Sequence, residues 1–315
     1  MREVNGLEYL VDDFFIKHIE AESEYINLLT TIYGVTISAH KRDDLELHIK
    51  IAKSLELLIV SFLVTDDFLD KSDYRNHITT FYKKYGSEQT VLIAEILKST
   101  ATISFCDSLK LLKLSVEDKF KCIILFEDLY RTVCAGQLEE IKWLSNISDS
   151  WKDKEEIYWQ IIYKTTASFF HFLMVFGAIV AELPDRKSLA EYGRYIGLAY
   201  QVRDDLIDVI GSPRDTGKQK GNDIREKKIR LPIIYLMLNG TIAEQKVVKE
   251  IYKKNIVTTP DVNKVINVLG NSTSIKMTKS KINELCDKAV FQISSLKNEE
   301  LKEQLKDICQ LIKID

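Results

Sequence analysis

Residues 51–70 read IAKSLELLIVSFLVTDDFLD, and this stretch decides the fold. Leu55, Leu58, Phe62 and Leu69 fall close to one stripe of a 3.6-residue helix. The run LLIVSFLV is apolar nearly all round, so the helix belongs in the middle of a bundle. It ends on Asp66-Asp67-Phe68-Leu69-Asp70. A second apolar segment, GLAYQV, leads through Arg203 into Asp204-Asp205-Leu206-Ile207-Asp208, the same pattern again.

On a helix, residues i and i+4 share a face and i+1 lies about 100° around. Each motif therefore projects two carboxylates from one face and keeps a third nearby. Acids at the end of an apolar wall are costly unless a cation satisfies them. Two such sets supply the oxygen donors that hard divalent ions such as Mg²⁺ prefer. Short acidic clusters are otherwise solvated surface, which is how Asp12-Asp13 and Asp43-Asp44 read. The repetition after two apolar helices is what points to function.

The rest of the chain agrees with an all-helical class. Only four prolines occur in 315 residues, none before Pro184, and the first 183 residues hold five glycines. A sheet protein needs more frequent turn residues than that. SFFHFLMVFGAIVA is a second all-round apolar helix, and NEELKEQLKDICQLIKID reads as a terminal amphipathic one. The exception is GSPRDTGKQKGND (211–223), a glycine-rich loop. Without a linker or repeat, one domain over 1–315 is expected.

Net charge is −3, with 44 basic against 47 acidic residues, so nothing suggests a nucleic-acid partner. Five cysteines without a CxxC pair read as reduced core thiols in a cytoplasmic protein. The acidic N-terminus does not read as a signal peptide, and no uncharged run reaches membrane-spanning length.

The surroundings of the second motif narrow the chemistry. Gln201 lies one turn before Asp204, and Gly217-Lys218, Gly221, Asp223, Lys228 and Leu231-Pro232 follow. Lysines on a flexible loop beside an acid cage suit a departing diphosphate. YQVRDDLIDVIGSPRDTGKQKGNDIREKKIRLP closely resembles the second aspartate-rich region of trans-prenyl diphosphate synthases. Gly136-Gln137-Leu138-Glu139-Glu140 is similar to that family's GQxxD/E segment, and Lys164-Thr165 to its KT pair. The resemblance covers roughly residues 50 to 240.

It implies an isoprenoid-synthase helical bundle with a central cavity and two facing Asp-rich helices. It implies three Mg²⁺ ions that bridge a prenyl diphosphate to Asp66, Asp67, Asp70 and Asp204, with Asp208 a further ligand. Arg75, Lys164, Gln137, Gln201, Lys218 and Lys228 would contact or position the diphosphate, with Thr165 beside them. Phe62, four residues before Asp66, would limit chain length to a geranyl- or farnesyl-sized substrate, or else is plain core. Phe169, Phe170, Phe172 and Phe176 would line the same cavity or belong to the core. Arg230 stands where Thr is usual and either adds charge to the diphosphate lid or is exposed. A homodimer is also implied.

The sequence departs from the pattern where the second substrate, isopentenyl diphosphate, should bind. The basic N-terminal segment falls near residues 20–27, which read EAESEYIN. Ile59 replaces the polar residue seven before Asp66, and Asn76 replaces the second arginine after the motif. Each lost charge-assisted hydrogen bond is worth roughly 1.5–3 kcal/mol. The reading placed first is therefore a synthase-like terpene synthase that ionises an allylic diphosphate. The alternatives are ordinary chain elongation, transfer to another acceptor such as a peptide tryptophan, and an inactive partner subunit.

Overall fold

The computed structural model describes residues 23–38, 45–75, 78–144, 150–211 and 220–314. Asn76 and Lys218 lie outside the described residues. Packing divides the chain into two compact units, 1–126 and 127–315.

In the first unit, α1 (Ser23–Ser38) precedes α2 (Leu45–Leu69), which carries the first acid motif. A two-residue hairpin follows, β1 (Tyr74–Arg75) paired antiparallel with β2 (Ile78–Thr79). After it come α3 (Phe81–Tyr85), α4 (Ser87–Leu111) and the start of α5 (Val116–Leu144). The stripe expected on α2 is buried at Leu55 and Leu58, whereas Leu69 is 37% exposed. Val60 and Val64 pack with Phe81, Ala94 and Leu97 of α3 and α4. Burying a side chain of this size contributes roughly 1.5–3 kcal/mol. Ser54 and Ser61 are buried on the same helix and donate to the carbonyls of Ile51 and Leu58, at 2.6 and 2.7 Å. Tyr33 of α1 meets His48 Nδ1 of α2 at 3.0 Å.

How α2 stops fixes where its acids stand. Lys71 takes a left-handed φ of 52°. The Ser72 N–H donates back to the Asp67 carbonyl and the Lys71 N–H to that of Phe68. This is the Schellman arrangement, here without its usual glycine. Asp66 and Asp67 thus occupy the last turn of a helix that has no basic residue there.

The second unit holds the remainder of α5, α6 (Trp151–Ile162), a π-turn (Tyr163–Ala167), α7 (Ser168–Val180) and α8 (Arg186–Ile210). A short turn, α9 (Asn222–Arg225), leads to α10 (Leu231–Asn239), α11 (Ile242–Tyr252), α12 (Thr259–Asn271), α13 (Ser274–Gln292) and α14 (Glu299–Ile312). Helix α8 is central and packs chiefly against α7 and α13. The apolar stretch expected in mid-bundle is α7, nearly all of it buried. The helical run Trp151–Val180 is long and apolar enough to cross a membrane, but 72% of its most apolar window is buried within the fold. Lys154, near the start of that run, is buried, with Nζ 5.8 Å from the ring centre of Trp143 and 5.6 Å from that of Trp151. The terminal amphipathic helix is α14, and Tyr192 of α8 donates to its Leu305 carbonyl at 2.7 Å. No disulfide forms among the described residues.

Close approach of α8 to the chain before it depends on two glycines. A Cβ on Gly197 would stand 2.6 Å from Ala167 Cα, and one on Gly193 would stand 2.5 Å from the Phe170 carbonyl oxygen. Gly197→Ala should therefore cost about 1–3 kcal/mol, because a backbone atom must yield. Gly34, mid-helix in α1 with open space around it, should instead gain about 0.5–1 kcal/mol as Gly34→Ala. Urea unfolding of the two variants would check the opposite signs.

Candidate active site

The first acid set is built by α2 and the hairpin. The hairpin brings Arg75 back over the helix end, where Nε donates to Asp67 Oδ1 and Nη2 to Asp66 Oδ2, each at 2.8 Å. Asp67 is buried (2% exposed) and Asp66 more open (32%), so the set has a dry inner and a wet outer carboxylate. Asp70 is half-buried. Thr80 holds the hairpin's far end, donating to the Ser72 carbonyl at 2.5 Å and capping α3 through the Lys83 N–H. Phe62 is half-buried on α2, and Ile59 is buried in the core.

The second acid set lies in the last turns of α8, again without a basic residue at the helix end. Its three aspartates differ sharply. Asp204 is exposed, Asp208 half-buried and Asp205 fully buried. Asp205 accepts from the Tyr158 hydroxyl at 2.6 Å and from Gln201 Nε2 at 2.8 Å. Thr166 of the π-turn in turn donates to Gln201 Oε1 at 2.5 Å. Burial, then the charge of Asp205, pushes the Tyr158 phenol well above its usual range, so it stays a donor. Asp208 accepts from the backbone N–H groups of Asn222 (3.0 Å) and Asp223 (3.2 Å). Asn222 and Asp223 are thereby pinned to the helix that carries the motif.

Arg230 joins these parts. It is 14% exposed; Nη1 donates to Glu140 Oε1 at 2.8 Å and Nε to Asp223 Oδ2 at 3.2 Å, with Asp205 Oδ1 3.7 Å from Nε. Burial alone would lower its pKa, but Asp223, Glu140 and Asp205 hold it charged, well above the ordinary value. Lys164 pairs with Glu139 and Lys228 with Glu226. The expected GQxxE and KT segments are in contact: a Cβ on Gly136 would stand 2.7 Å from Lys164 Cβ, so α5 and the π-turn meet through that glycine. Single π-turns inside helices recur at functional sites, and this one displays Lys164 and Thr165. Sequence reasoning missed Tyr158, Glu140 and Asp205 as network members; no local motif marks Tyr158. The phenylalanines of α7 are buried, with Phe172 and Phe176 stacked at 5.6 Å.

The donor chemistry suits a hard divalent cation, since the candidate ligands are carboxylates at negatively polarised helix ends. Among the described residues, no three acidic, His or Cys side chains are already gathered for one ion. Two guanidinium groups stand among the carboxylates instead. Asp208 shows the strain of that crowding. Burial, then the charges of Asp223 and Asp204, raise its carboxyl from 3.8 to about 7 against the pull of the two N–H groups. Burial raises Asp205 likewise to about 7, against the pull of Arg230.

These features define an all-helical fold with carboxylates gathered at the ends of two helices. Residues 19–269 match the polyprenyl synthetase family, and the chain belongs to that family. The octaprenyl diphosphate synthase of Haemophilus influenzae is 26% identical over 264 residues, covering 82% of this chain and 75% of that protein. A polyprenyl synthase from Caulobacter crescentus CB15, solved with calcium and isoprenyl diphosphate, superposes with a TM-score of 0.79 at 20% identity, over 99% of this chain and 98% of that one. Geranylgeranyl pyrophosphate synthase from Corynebacterium glutamicum, solved with isoprenyl diphosphate and magnesium, gives the same TM-score of 0.79 at 20% identity, over 98% and 99%.

The raised Asp208 carboxyl has a definite consequence for pH. Folded, it holds a proton that the unfolded chain releases above pH 3.8, so in metal-free protein its contribution to stability is full below about pH 4 and is lost as pH rises through about 7. A divalent ion that replaces the proton should restore that loss. The rise in melting temperature caused by Mg²⁺ over EDTA should thus be larger at pH 8 than at pH 6, and Asp208→Asn should flatten the difference. A pH-independent Mg²⁺ effect would remove Asp208 from the metal site.

Proposed function

We propose that this chain is a divalent-metal-dependent prenyl diphosphate synthase that lengthens an allylic diphosphate with isopentenyl diphosphate. The observation that carries the reading is two intact DDxxD sets at the ends of buried helices, within a chain that belongs to the polyprenyl synthetase family. Relatives 26–27% identical that span most of the chain are octaprenyl diphosphate synthases, which supports elongation better than the cyclising reading the sequence alone put first.

Mg²⁺ on Asp66, Asp67, Asp70, Asp204 and Asp208 would neutralise the diphosphate and ease loss of the leaving group. Arg75, Lys164, Lys218 and Lys228 supply charge-assisted hydrogen bonds to that leaving group. Gln137, Gln201 and Thr165 orient it. The allylic C–O bond breaks, diphosphate leaves, the isopentenyl double bond forms the new C–C bond, and one proton is lost. Lys164 is 29% exposed and its partner Glu139 40%, so the pair is open to exchange with an incoming phosphate oxygen. Phe62 is assigned to the prenyl tail.

One observation favours the second reading, in which the cation is quenched without isopentenyl diphosphate. Position 59 is a buried isoleucine and residues 20–27 contain no basic side chain, so the second anion lacks its usual partners. Incubating the purified protein and Mg²⁺ with geranyl, farnesyl or geranylgeranyl diphosphate, with and without isopentenyl diphosphate, separates the two. Longer diphosphates formed only with isopentenyl diphosphate are the expected outcome. Hydrocarbon or alcohol formed without it would make the chain a terpene synthase. Asp66→Ala or Asp204→Ala should lower turnover more than about 100-fold with unchanged far-UV circular dichroism; retained turnover would sink the metal assignment.

A homodimer belongs to the same proposal. Leu92 and Ile103 of α4 and Phe120 and Ile124 of α5 are each more than half exposed, large apolar side chains of the first unit that suit contact with a second copy. Light scattering should give twice the chain mass, and Phe120→Glu with Ile124→Glu should halve it.

A further inference from the structure

We infer that Arg230 is a resident cation of the second acid set. It occupies the inner half of the cluster and confines divalent metal to the outer carboxylates, Asp204 and Asp208. The inference rests on the proposed metal role of those two aspartates and goes beyond it by dividing the cluster.

The geometry makes the division. Five acids lie in or beside this set: Glu140, Asp204, Asp205, Asp208 and Asp223. Three of them, Glu140 on α5, Asp205 on α8 and Asp223 on α9, have an oxygen 2.8, 3.7 and 3.2 Å from a guanidinium nitrogen of Arg230. These three are also well covered, at 12%, 1% and 21% exposed. The other oxygen of Asp205 is taken by the Tyr158 hydroxyl, and its Oδ1 also accepts from Gln201. Little of Asp205 is left to offer an ion. Asp208 differs in kind, because its hydrogen-bond partners among the described residues are two backbone N–H groups rather than a guanidinium. Asp204 is exposed.

Arg230 is moreover fixed where it stands. It is the N-cap residue of α10, with extended backbone, and Pro232 follows in the first turn. Its side chain therefore enters the cluster from a rigid helix start. The guanidinium fork reaches several carboxylates at once. The guanidinium offsets part of the charge of the inner carboxylates before any ion arrives, and Asp205 is held as a positioning residue for Gln201 and the π-turn through Thr166.

The test uses Mn²⁺ as the probe on the full-length protein, without substrate, so it is independent of turnover. Calorimetric titration of Arg230→Gln should show one further divalent ion bound per chain than in the unaltered protein. Its melting temperature should fall by several degrees in EDTA and recover more on Mn²⁺ addition than the unaltered protein gains. Arg230→Lys, which keeps the charge, should bind the original number of ions. Equal stoichiometry in Arg230→Gln and the unaltered protein overturns the inference, and so does an extra ion in Arg230→Lys. Should Arg230→Gln fail to fold, Asp223→Asn decides. Mn²⁺ affinity changed by less than about threefold supports the division, and a loss of about tenfold or more makes Asp223 a metal partner and overturns it. Asp208→Asn separates this from the underlying reading: an unchanged Mn²⁺ isotherm there removes the metal assignment itself, and the inference with it.

Discussion

Carboxylates gathered at the C-terminal ends of two helices are the constraint on which the rest of the molecule depends. A helix end already carries partial negative charge, and an acid placed there costs roughly 0.3–1 kcal/mol where a base would gain it. Here the last turn of α2 holds Asp66 and Asp67, with Asp70 just beyond, and the last turn of α8 holds Asp208, with Asp204 and Asp205 about a turn before it; neither helix has a basic residue in its last turn. Two of the acids, Asp67 and Asp205, are almost fully buried, which multiplies the cost. Local preference and global fold disagree at these two places, as they do where structure has been yielded to function.

Each unit answers the conflict in its own way. In the first, a Schellman stop with a left-handed lysine turns the chain so that the hairpin can return Arg75 to both carboxylates. In the second, the answer is a network: Tyr158, Gln201 and Arg230 surround Asp205, and backbone N–H groups hold Asp208. The network needs its elements close together. Gly193 and Gly197 let α8 approach the π-turn and α7, and Gly136 lets α5 approach Lys164. Core packing and site geometry thus share the same glycines.

The helical class was legible because punctuation is sparse and apolar residues recur at helical spacing, and α7 and α14 lie where that pattern put them. The acid motifs and the KT and GQxxE segments were legible as local strings. The network around Asp205 was not, because its partners are far apart in sequence: Tyr158 stands 47 residues from Asp205, and Arg230 90 residues from Glu140. No short pattern records a contact of that range. Arg230 read as added charge on the diphosphate lid or as exposed, and its burial among three acids is a fact of tertiary structure. Leu69 illustrates the opposite error. It continues the apolar stripe on paper, but the helix ends there and leaves it 37% exposed.

Elongation and cyclisation make the same demand on the acid sets, since both begin with loss of diphosphate from an allylic carbon. They differ only in what captures the cation. Elongation needs a second anion bound nearby, and each charge-assisted contact it lacks weakens that binding by roughly 1.5–3 kcal/mol. A buried Ile59 offers no contact at all. That loss acts on the affinity for isopentenyl diphosphate and leaves the ionising step untouched. An elongating enzyme with this sequence must therefore take its second-substrate contacts from positions other than 59.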